Sequence, residues 1–436
     1  MHQPQSTVFS SVLIGSESLL VGCGEVLLDH GFPIAMVVTD NDEIAAWAQG
    51  RGLPVADLDT DLPEKLAEMR FEWLFSIANL RIIPDAVLAQ AANGAINFHD
   101  GPLPAYAGVN APVWALLNGE AQHGITWHLI ETGIDTGDIL EQRLFDVDAG
   151  ETAYSLNSKC YAAGLDSFSQ LIEGIQAGLP ARRAQDSTQR SYFARDARPK
   201  ADGLLDLRRP ASDLAAQVNA LDHASYWNPL CCAKIAFGGK NYLVGRASWV
   251  DGEATAPGLI LDTDAETVTV STGDGVLRLA GLTTSDGEKP DVAANFVVGQ
   301  RLDLFVETQL DEITKVKARL VKGERFWRTR LAEVDPLELP FIADATPAKI
   351  LSRALAMPAD CSQDQSLAAV AHVAATSAGV TQADIAFLGA QTCELIQRAP
   401  GHVCKWLPLT VTPNQSAAEI AQALALFTRH PGYSPD

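Results

Sequence analysis

An asparagine and a histidine two residues apart end an apolar run in the stretch GAINFHDGPLPAYAG, residues 94–108. Side chains two apart on a strand share a face, so we expect Asn97 and His99 to point one way and Phe98 the other. An amide can hold a carbonyl oxygen as it gains negative charge, and an imidazole can move a proton near neutral pH. The pair therefore has the residue types that acyl transfer needs.

A second polar loop, ETGIDTGDIL at residues 131–140, follows the apolar run GITWHLI. Its glycines allow close approach of the backbone to a ligand. Either Asp135 or Asp138 offers a carboxylate that would orient His99 and raise its basicity. On spacing alone, an Asn-x-His pair or a DTGD loop more often has a structural role at a strand end or a turn.

The elements that must position these residues alternate between strands and helices. We predict strands at 7–14, 33–39, 71–78, 94–98 and 124–130 and helices at 17–30, 43–51, 61–69, 84–92, 110–118 and 151–177. This alternation predicts an α/β fold with a Rossmann-like, mostly parallel sheet. Ligands bind such sheets at the carboxyl ends of the strands, where Asn97 and His99 lie.

The rest of the chain differs from this region in composition and in the pattern of its apolar residues. Residues 180–203 are polar and resemble a linker. A helix at 210–221 and β-rich runs at 231–237, 241–248, 257–261, 267–272 and 275–283 predict a small OB-like β-barrel, followed by a helical stretch at 313–334. From about 336 the chain becomes Ala-rich, with predicted amphipathic helices at 345–360, 366–379 and 416–430 and a strand at 405–412.

Composition limits the function classes. The 436 residues carry a formal charge of −22, which disfavours nucleic acid as a partner. The seven cysteines are scattered and predict buried free thiols in a reducing, cytoplasmic compartment. We expect no secretory signal and no membrane span. His123 and His128 lack the context of a metal-binding motif, so no metal is expected.

Two motifs together resemble the N10-formyltetrahydrofolate-dependent formyltransferase family. They are NFHDGPLPAYAG and NGEAQHGITWHLIETGIDTGDIL. That family's signature is Asn-x-His, a Leu-Pro turn with a glycine, Gly-(Val/Ile)-Thr-x-His/Met and Asp-x-Gly-x-(Ile/Met)-Leu, in this order. The resemblance covers residues 7–185, and the region 200–310 is similar to the family's C-terminal barrel. It implies a catalytic domain at 1–185, a linker at 186–205 and a barrel domain at 206–335. The change in composition at about 336 predicts a separate Ala-rich tail at 336–436.

The resemblance implies a role for each matching residue. Asn97 would hold the formyl oxygen, His99 would carry the proton from the amine to the folate, and Asp135 would fix the imidazole. The formyl donor would be N10-formyltetrahydrofolate, its pterin read largely by backbone groups. The matching pterin positions are Leu80, Arg81, Ile82, Ile83, Ile130, Gly133, Ile134 and Asp135. The candidate acceptor-pocket residues are Tyr106, Trp114 and His128.

The chain departs from the family at the turn after His99. The usual Ser-Leu-Leu-Pro reads Gly101-Pro102-Leu103-Pro104, and the usual Arg-Gly reads Ala107-Gly108. Both departures alter the expected acceptor pocket and disfavour a tRNA acceptor. So do the charges of residues 200–290, which hold 8 basic and 12 acidic residues.

The tail suggests an acceptor. Residues 364–391 and 406–436 resemble part of a condensation-type domain of peptide synthetases, without the catalytic His-His-x-x-x-Asp-Gly. We therefore expect the acceptor amine to belong to an aminoacyl group, carried by a carrier protein or presented by downstream synthetase domains. Two alternatives stay open. One is a free-standing N-formyltransferase for an amino-sugar nucleotide or small amine, and the other is a non-catalytic folate-binding or docking module.

Overall fold

The computed structural model describes residues 8–59, 61–178, 182–338 and 360–435. They form two compact units. The first comprises residues up to Ala197 with Ala215–Pro229, and the second comprises Arg198–Leu214 with the residues from Leu230 onward. The predicted helix at 345–360 lies outside the described residues except for its last position. The domain boundaries given above remain predictions.

Strands and helices alternate through the first unit. Its strands are β1 (Ser11–Ile14), β2 (Ile34–Val38), β3 (Val55–Ala56), β4 (Trp73–Ser76), β5 (Gly94–His99), β6 (Ala107–Gly108), β7 (Gln122–Leu129), β8 (Ile139–Asp146) and β9 (Tyr192–Phe193). Its helices are α1 (Ser18–Asp29), α2 (Asp42–Gly50), α3 (Leu62–Ala67), α4 (Asp85–Leu88), α5 (Ala111–Leu117) and α6 (Ala153–Gln176), followed by a 3₁₀ turn at Ser187–Gln189. The next helix, α7 (Ala211–Ala220), contains the boundary between the two residue sets.

Seven strands form the central sheet in the order β3-β2-β1-β4-β5-β7-β8. The first five run parallel, whereas β7 is antiparallel to β5 and β8 is antiparallel to β7. The predicted α/β fold with a mostly parallel sheet is therefore confirmed. Strand β8 escaped the sequence analysis because it is an edge strand with many half-exposed polar residues and lacks a long apolar run.

Helix α6 determines which face of β5 is left for polar side chains. Phe98 packs on Trp127 with ring centroids 5.1 Å apart, and both side chains are buried. A Cβ on Gly164 of α6 would lie 2.6 Å from the Phe98 ring, so glycine permits this close approach of helix and sheet. Because side chains alternate along a strand, Asn97 and His99 face the opposite side, as the sequence predicts.

Within its described residues, the second unit holds three antiparallel sheets, two of them in the region where the sequence predicts a barrel. Its strands are β10 (Lys234–Phe237), β11 (Lys240–Leu243), β12 (Arg246–Val250), β13 (Ile260–Thr263), β14 (Thr267–Ser271), β15 (Val276–Ala280), β16 (Thr283–Thr284), β17 (Ala383–Phe387) and β18 (Leu407–Val411). The two sheets of that region have the orders β10-β11-β16 and β12-β15-β14-β13, and β17 pairs with β18 in the third. The single predicted run at 241–248 is interrupted at Gly245, whose N–H is bonded to Gly281, and so forms two strands.

The helices of the second unit join its β-rich and Ala-rich parts. They are α8 (Val292–Asn295), α9 (Glu307–Leu320), α10 (Glu324–Ala332), α11 (Gln363–Ala378), α12 (Ala390–Arg398) and α13 (Ala417–Arg429), with 3₁₀ turns at Lys200–Gly203 and Val321–Gly323. One buried cluster contains Ala236 of β10, Trp327 of α10 and Leu395 of α12. Apolar burial, the main favourable contribution to folding, therefore connects the Ala-rich residues to the preceding strands.

The second unit contains a buried ion cluster. The carboxylate of Asp202 lies 2.7 Å from Lys317 Nζ, 3.1 Å from Lys234 Nζ and 3.0 Å from His402 Nδ1. These basic groups hold the pKa of Asp202 far below its usual range, although burial alone would raise it. Because an unpaired buried charge is costly, the four segments that carry these residues depend on one another. Among the described helices, none combines the length and apolarity that a bilayer span requires.

Candidate active site

The structure brings together Asn97, His99 and Asp135 and adds His128 to them. The carboxylate of Asp135 lies between two imidazoles, with Oδ2 3.7 Å from His99 Nδ1 and Oδ1 3.5 Å from His128 Nε2. The Asn97 amide nitrogen is 3.2 Å from His128 Nε2. Of the two aspartates that the loop offered, Asp135 is therefore the one placed against His99.

The register of the sheet places Asn97 at the centre of a gap between two loops. Asn97 pairs with Ser76 of β4 on one side and with His128 of β7 on the other. Strand β4 ends at Ser76 and β7 ends at Leu129, so the chain leaves the sheet on both flanks of Asn97. The two departing segments contain the positions predicted to bind the pterin.

His99 is held by its backbone surroundings in one tautomer. Its Nε2 is 2.8 Å from the carbonyl oxygen of Tyr106, and because a carbonyl can only accept, Nε2 must carry the hydrogen. In the neutral ring the basic atom is then Nδ1, the atom that faces Asp135. Tyr106 has a φ of +60°, which is rare for a residue with a side chain and directs its carbonyl at the ring.

His128 orients the amide of Asn97. Its Nδ1 lies 2.8 Å from the carbonyl oxygen of Leu129 and must donate, so Nε2 of the neutral ring accepts from the Asn97 amide nitrogen. That contact fixes which end of the amide is nitrogen and leaves its second N–H for another acceptor. A protonated His128 would instead donate from Nε2 toward Asp135.

Asp135 has an uncommon backbone conformation, and its carboxylate is held by a hydrogen bond from the backbone. Its φ is +53°, and the Gly108 N–H donates to its Oδ2 at 2.8 Å. Burial would raise the pKa of Asp135, but the His128 and His99 rings in their protonated forms and the Gly108 N–H outweigh it and lower the pKa to about 2. The group is therefore a stable anion next to the basic atom of His99.

This lowered pKa predicts how stability depends on pH. A carboxylate whose pKa is lower in the folded state contributes stability above its unfolded pKa of 3.8, and that contribution disappears as the pH falls toward 2. The full loss of this contribution, from high pH to the low-pH limit, is about 2 kcal/mol of unfolding free energy, and part of it has occurred by pH 3. We therefore expect the unfolding free energy of Asp135→Asn, measured by chemical unfolding, to fall less between pH 6 and pH 3 than that of the wild type. Asp138→Asn serves as the matched control, and an Asp135→Asn profile identical to the wild type would contradict the assignment.

Gly101, at the position where the family has serine, lies against the His99 ring. A Cβ at this position would lie 2.7 Å from His99 Nε2 and 3.0 Å from the Cβ of Ala111. We expect Gly101→Ala to push the ring off the Tyr106 carbonyl and lower kcat by roughly 10- to 100-fold, since misplacement by about 1 Å costs that much. Gly50→Ala is the control, because nothing lies within 4 Å of the added carbon. Unchanged turnover in Gly101→Ala would refute this account.

The structure places Tyr106 and Trp114 in a stack of rings. Phe193 lies between them, with ring centroids 5.6 Å from Tyr106 and 4.7 Å from Trp114. The Tyr106 hydroxyl donates to Glu120 at 2.6 Å, and burial together with this carboxylate raises its pKa to about 12. Both rings are buried, so a contact with the acceptor remains a prediction for them. Ala107, where the family has arginine, is also buried.

The segment that follows β4, which is predicted to bind the pterin, is held by contacts among its own residues and with Asp57. Asn79 hydrogen-bonds both the N–H and the carbonyl of Arg81, and the Arg81 guanidinium binds Asp57. In the described part of the chain, no hydrogen bond engages the backbone of Leu80, Ile82 or Ile83. Leu80 and Ile82 are 71% and 83% exposed, which leaves apolar surface for a flat ring.

The loop after β7 is ordered in a complementary way. Ile130 donates its N–H to Ala95 and packs in the same apolar cluster as Ile83, so the two loops share a base. Ile134 is 48% exposed. Within the described residues, the N–H groups of Gly133, Ile134 and Asp135 have no hydrogen-bond acceptor. The loop thus presents backbone donors beside exposed apolar carbon.

Sequence analysis missed the residues that hold this loop. Gln185 donates from Nε2 to the carbonyls of Asp135 and Gly137 at 3.0 and 2.7 Å, and Arg190 donates to those of Ile134 and Asp135 at 2.8 and 3.3 Å. Strand β9 pairs with β6 in the turn that follows His99. The polar stretch predicted to be a linker therefore contacts the loop after β7 and the turn after His99. No metal-ligand cluster occurs among the residues that the structure describes.

Two family profiles match the sequence. The formyl transferase profile matches residues 34–172, which include Asn97, His99 and Asp135, and the formyl transferase C-terminal domain profile matches residues 198–301. Together they span more than half of the chain. The chain belongs to the formyltransferase family. This confirms the resemblance to N10-formyltetrahydrofolate-dependent formyltransferases and the expectation of an enzyme of that class.

Two methionyl-tRNA formyltransferases align with this sequence over most of their own length. A methionyl-tRNA formyltransferase from Geobacter sulfurreducens is 29% identical over 293 residues, covering 64% of this chain and 89% of that protein. A second, from Trichlorobacter lovleyi, is 29% identical over 251 residues, covering 58% and 76%.

Solved structures share the fold. The sugar 3N-formyltransferase WlaRD, solved in the presence of dTDP and 5-N-formyl-THF, aligns with a TM-score of 0.51 at 20% identity, over 63% of this chain and 98% of its own. An N-formyltransferase from Helicobacter canadensis, solved with folinic acid and dTDP-3-aminofucose, gives 0.52 at 20% identity, over 64% and 100%. At this identity the likeness concerns the fold alone.

Proposed function

We propose that this chain transfers a formyl group from N10-formyltetrahydrofolate to a primary amine, and that the amine belongs to an aminoacyl group in nonribosomal peptide synthesis. The observation that carries the transfer chemistry is the carboxylate of Asp135 shared by two imidazoles next to the Asn97 amide. The exposed apolar segments on both flanks of Asn97 suit the flat pterin of the donor.

Each residue of the site has a distinct task in this chemistry. Asn97 directs its remaining N–H at the formyl oxygen as that oxygen gains negative charge. A bond forms between the amine nitrogen and the formyl carbon, and the bond from that carbon to N10 breaks. His99 accepts the amine proton at Nδ1 and delivers it to the departing N10. The Asp135 anion stabilises the imidazolium in between.

The choice of acceptor rests on charge and on the tail. A chain of net charge −22 gives poor electrostatic attraction for tRNA, even though its named relatives include tRNA formyltransferases. The resemblance of residues 364–391 and 406–436 to a synthetase condensation domain favours an aminoacyl group bound to a carrier protein. An amino-sugar nucleotide is the second candidate, because proteins of that activity share the fold.

A mass-spectrometric acceptor screen tests the proposal. N10-formyltetrahydrofolate would be combined with aminoacyl-loaded carrier proteins, free amino acids, amino-sugar nucleotides and Met-tRNA, each with the wild type and with His99→Ala. We expect a formyl adduct on the tethered aminoacyl group that disappears in the variant. An adduct only on the sugar nucleotide or on tRNA would overturn the acceptor. Binding of the folate without any transfer would favour a docking module instead.

A further inference from the structure

We propose that Gln185 and Arg190 are positioning residues of the active site, which hold Asp135 in the conformation that catalysis needs. This inference rests on the proposed function for its kinetic consequences. The two side chains donate to the carbonyls of residues 134, 135 and 137, and we call this set of contacts the carbonyl clamp.

The clamp acts on the point of the loop where the backbone is least favourable. Asp135 has a φ of +53°, a left-handed conformation that costs energy for a residue with a side chain and persists only when its surroundings impose it. Gln185 and Arg190 both donate to the carbonyl of this same residue. Its carboxylate, on the other side of the Cα, is the group shared by His99 and His128.

A second set of contacts ties the clamp to the turn after His99. The Tyr106 N–H donates to Ser191 Oγ at 2.8 Å, and β9 pairs with β6 through Ala107 and Gly108. Gly108 is also the residue whose N–H binds the Asp135 carboxylate. Residues 185–193 therefore set the distance between the carbonyl that holds His99 and the carboxylate that faces it.

The clamp also determines what the loop offers to a ligand. It occupies the carbonyl acceptors of Ile134, Asp135 and Gly137 and leaves the N–H donors of residues 133–135 without partners among the described residues. A loop held in this way presents donors to a heteroaromatic ring that carries acceptor atoms. Loss of the clamp should therefore impair both turnover and donor binding.

Gln185→Leu tests this, with Gln189→Leu as the matched control. Leucine removes the amide donors while keeping a similar volume. Gln189 lies in the same segment, and among the described residues its side chain bonds only to Asp186. We expect Gln185→Leu to lower kcat roughly 10- to 100-fold and to raise KM for the folate, with Gln189→Leu at wild-type values. Arg190→Lys should be milder than Arg190→Leu, since lysine keeps a cationic donor.

A second measurement is independent of turnover. Hydrogen exchange followed by mass spectrometry should show faster exchange at residues 103–110 and 130–138 in Gln185→Leu and in Arg190→Leu, with no change in Gln189→Leu. If both clamp variants match the control in kinetics and exchange, the inference is overturned. If the wild type lacks formyl transfer, the proposed function fails, and the exchange result alone decides the clamp.

Discussion

Replacing His99 with alanine is expected to lower kcat by roughly a hundredfold to ten-thousandfold, with little change in KM for the folate donor. The reason lies in the tautomer. Because the Tyr106 carbonyl binds Nε2–H, only Nδ1 is basic, and it stands beside the Asp135 anion where an imidazolium is stabilised. Alanine leaves the amine proton without an acceptor. The measurement is single-turnover formyl transfer with the acceptor found in the screen.

Two further variants separate proton transfer from packing. His99→Gln keeps an N–H that can reach the Tyr106 carbonyl but has no titratable nitrogen, so we expect it to be as slow as alanine. His30→Ala removes an exposed histidine at the end of α1 and should leave kcat unchanged. A His99→Gln enzyme with wild-type turnover would show that His99 only fills space.

Replacing Asn97 with alanine is the second change with a large expected effect, a fall in kcat of roughly 100- to 1,000-fold. The amide nitrogen is oriented by His128 Nε2 and has one N–H left over for the formyl oxygen. That oxygen gains charge only as the reaction proceeds, so the loss should appear in kcat more than in KM. The same single-turnover assay measures it.

The direction of the amide can be tested as well. Asn97→Asp has nearly the same shape but places a second carboxylate near Asp135 and the formyl oxygen, so we expect it to be slower than Asn97→Ala. Asn93→Ala, at an exposed position just before β5, is the control. An aspartate variant faster than the alanine variant would mean that the amide does not donate to the reacting oxygen.

The sequence predicted those parts of the site that depend on local geometry. The two-residue period of a strand placed Asn97 and His99 on one face and Phe98 in the core, as the structure has them. The sequence also limited the carboxylate that faces His99 to two candidates, Asp135 and Asp138, in the loop after β7. It did not yield the contact between Asn97 and His128, because that contact depends on the antiparallel register of β5 and β7, which no periodicity encodes.

The residues that sequence analysis missed act at a distance. Gln185 and Arg190 bond to carbonyls about 50 residues earlier in the chain. A glutamine or arginine in a polar, aperiodic stretch looks the same whether it faces solvent or clamps a loop. Long-range backbone contacts of this kind become visible only in three dimensions.

The buried ion cluster around Asp202 has a consequence for anyone who wishes to recombine this protein with others. A cut within residues 339–359 would remove His402 while leaving Asp202, Lys234 and Lys317 behind. It would also divide the apolar cluster that joins Ala236 and Trp327 to Leu395. A chimaera that exchanges the Ala-rich residues alone would therefore leave the buried Asp202 carboxylate without its His402 partner and would expose apolar carbon. An exchange in this half of the chain should therefore keep Arg198–Leu214 together with the residues from Leu230 onward.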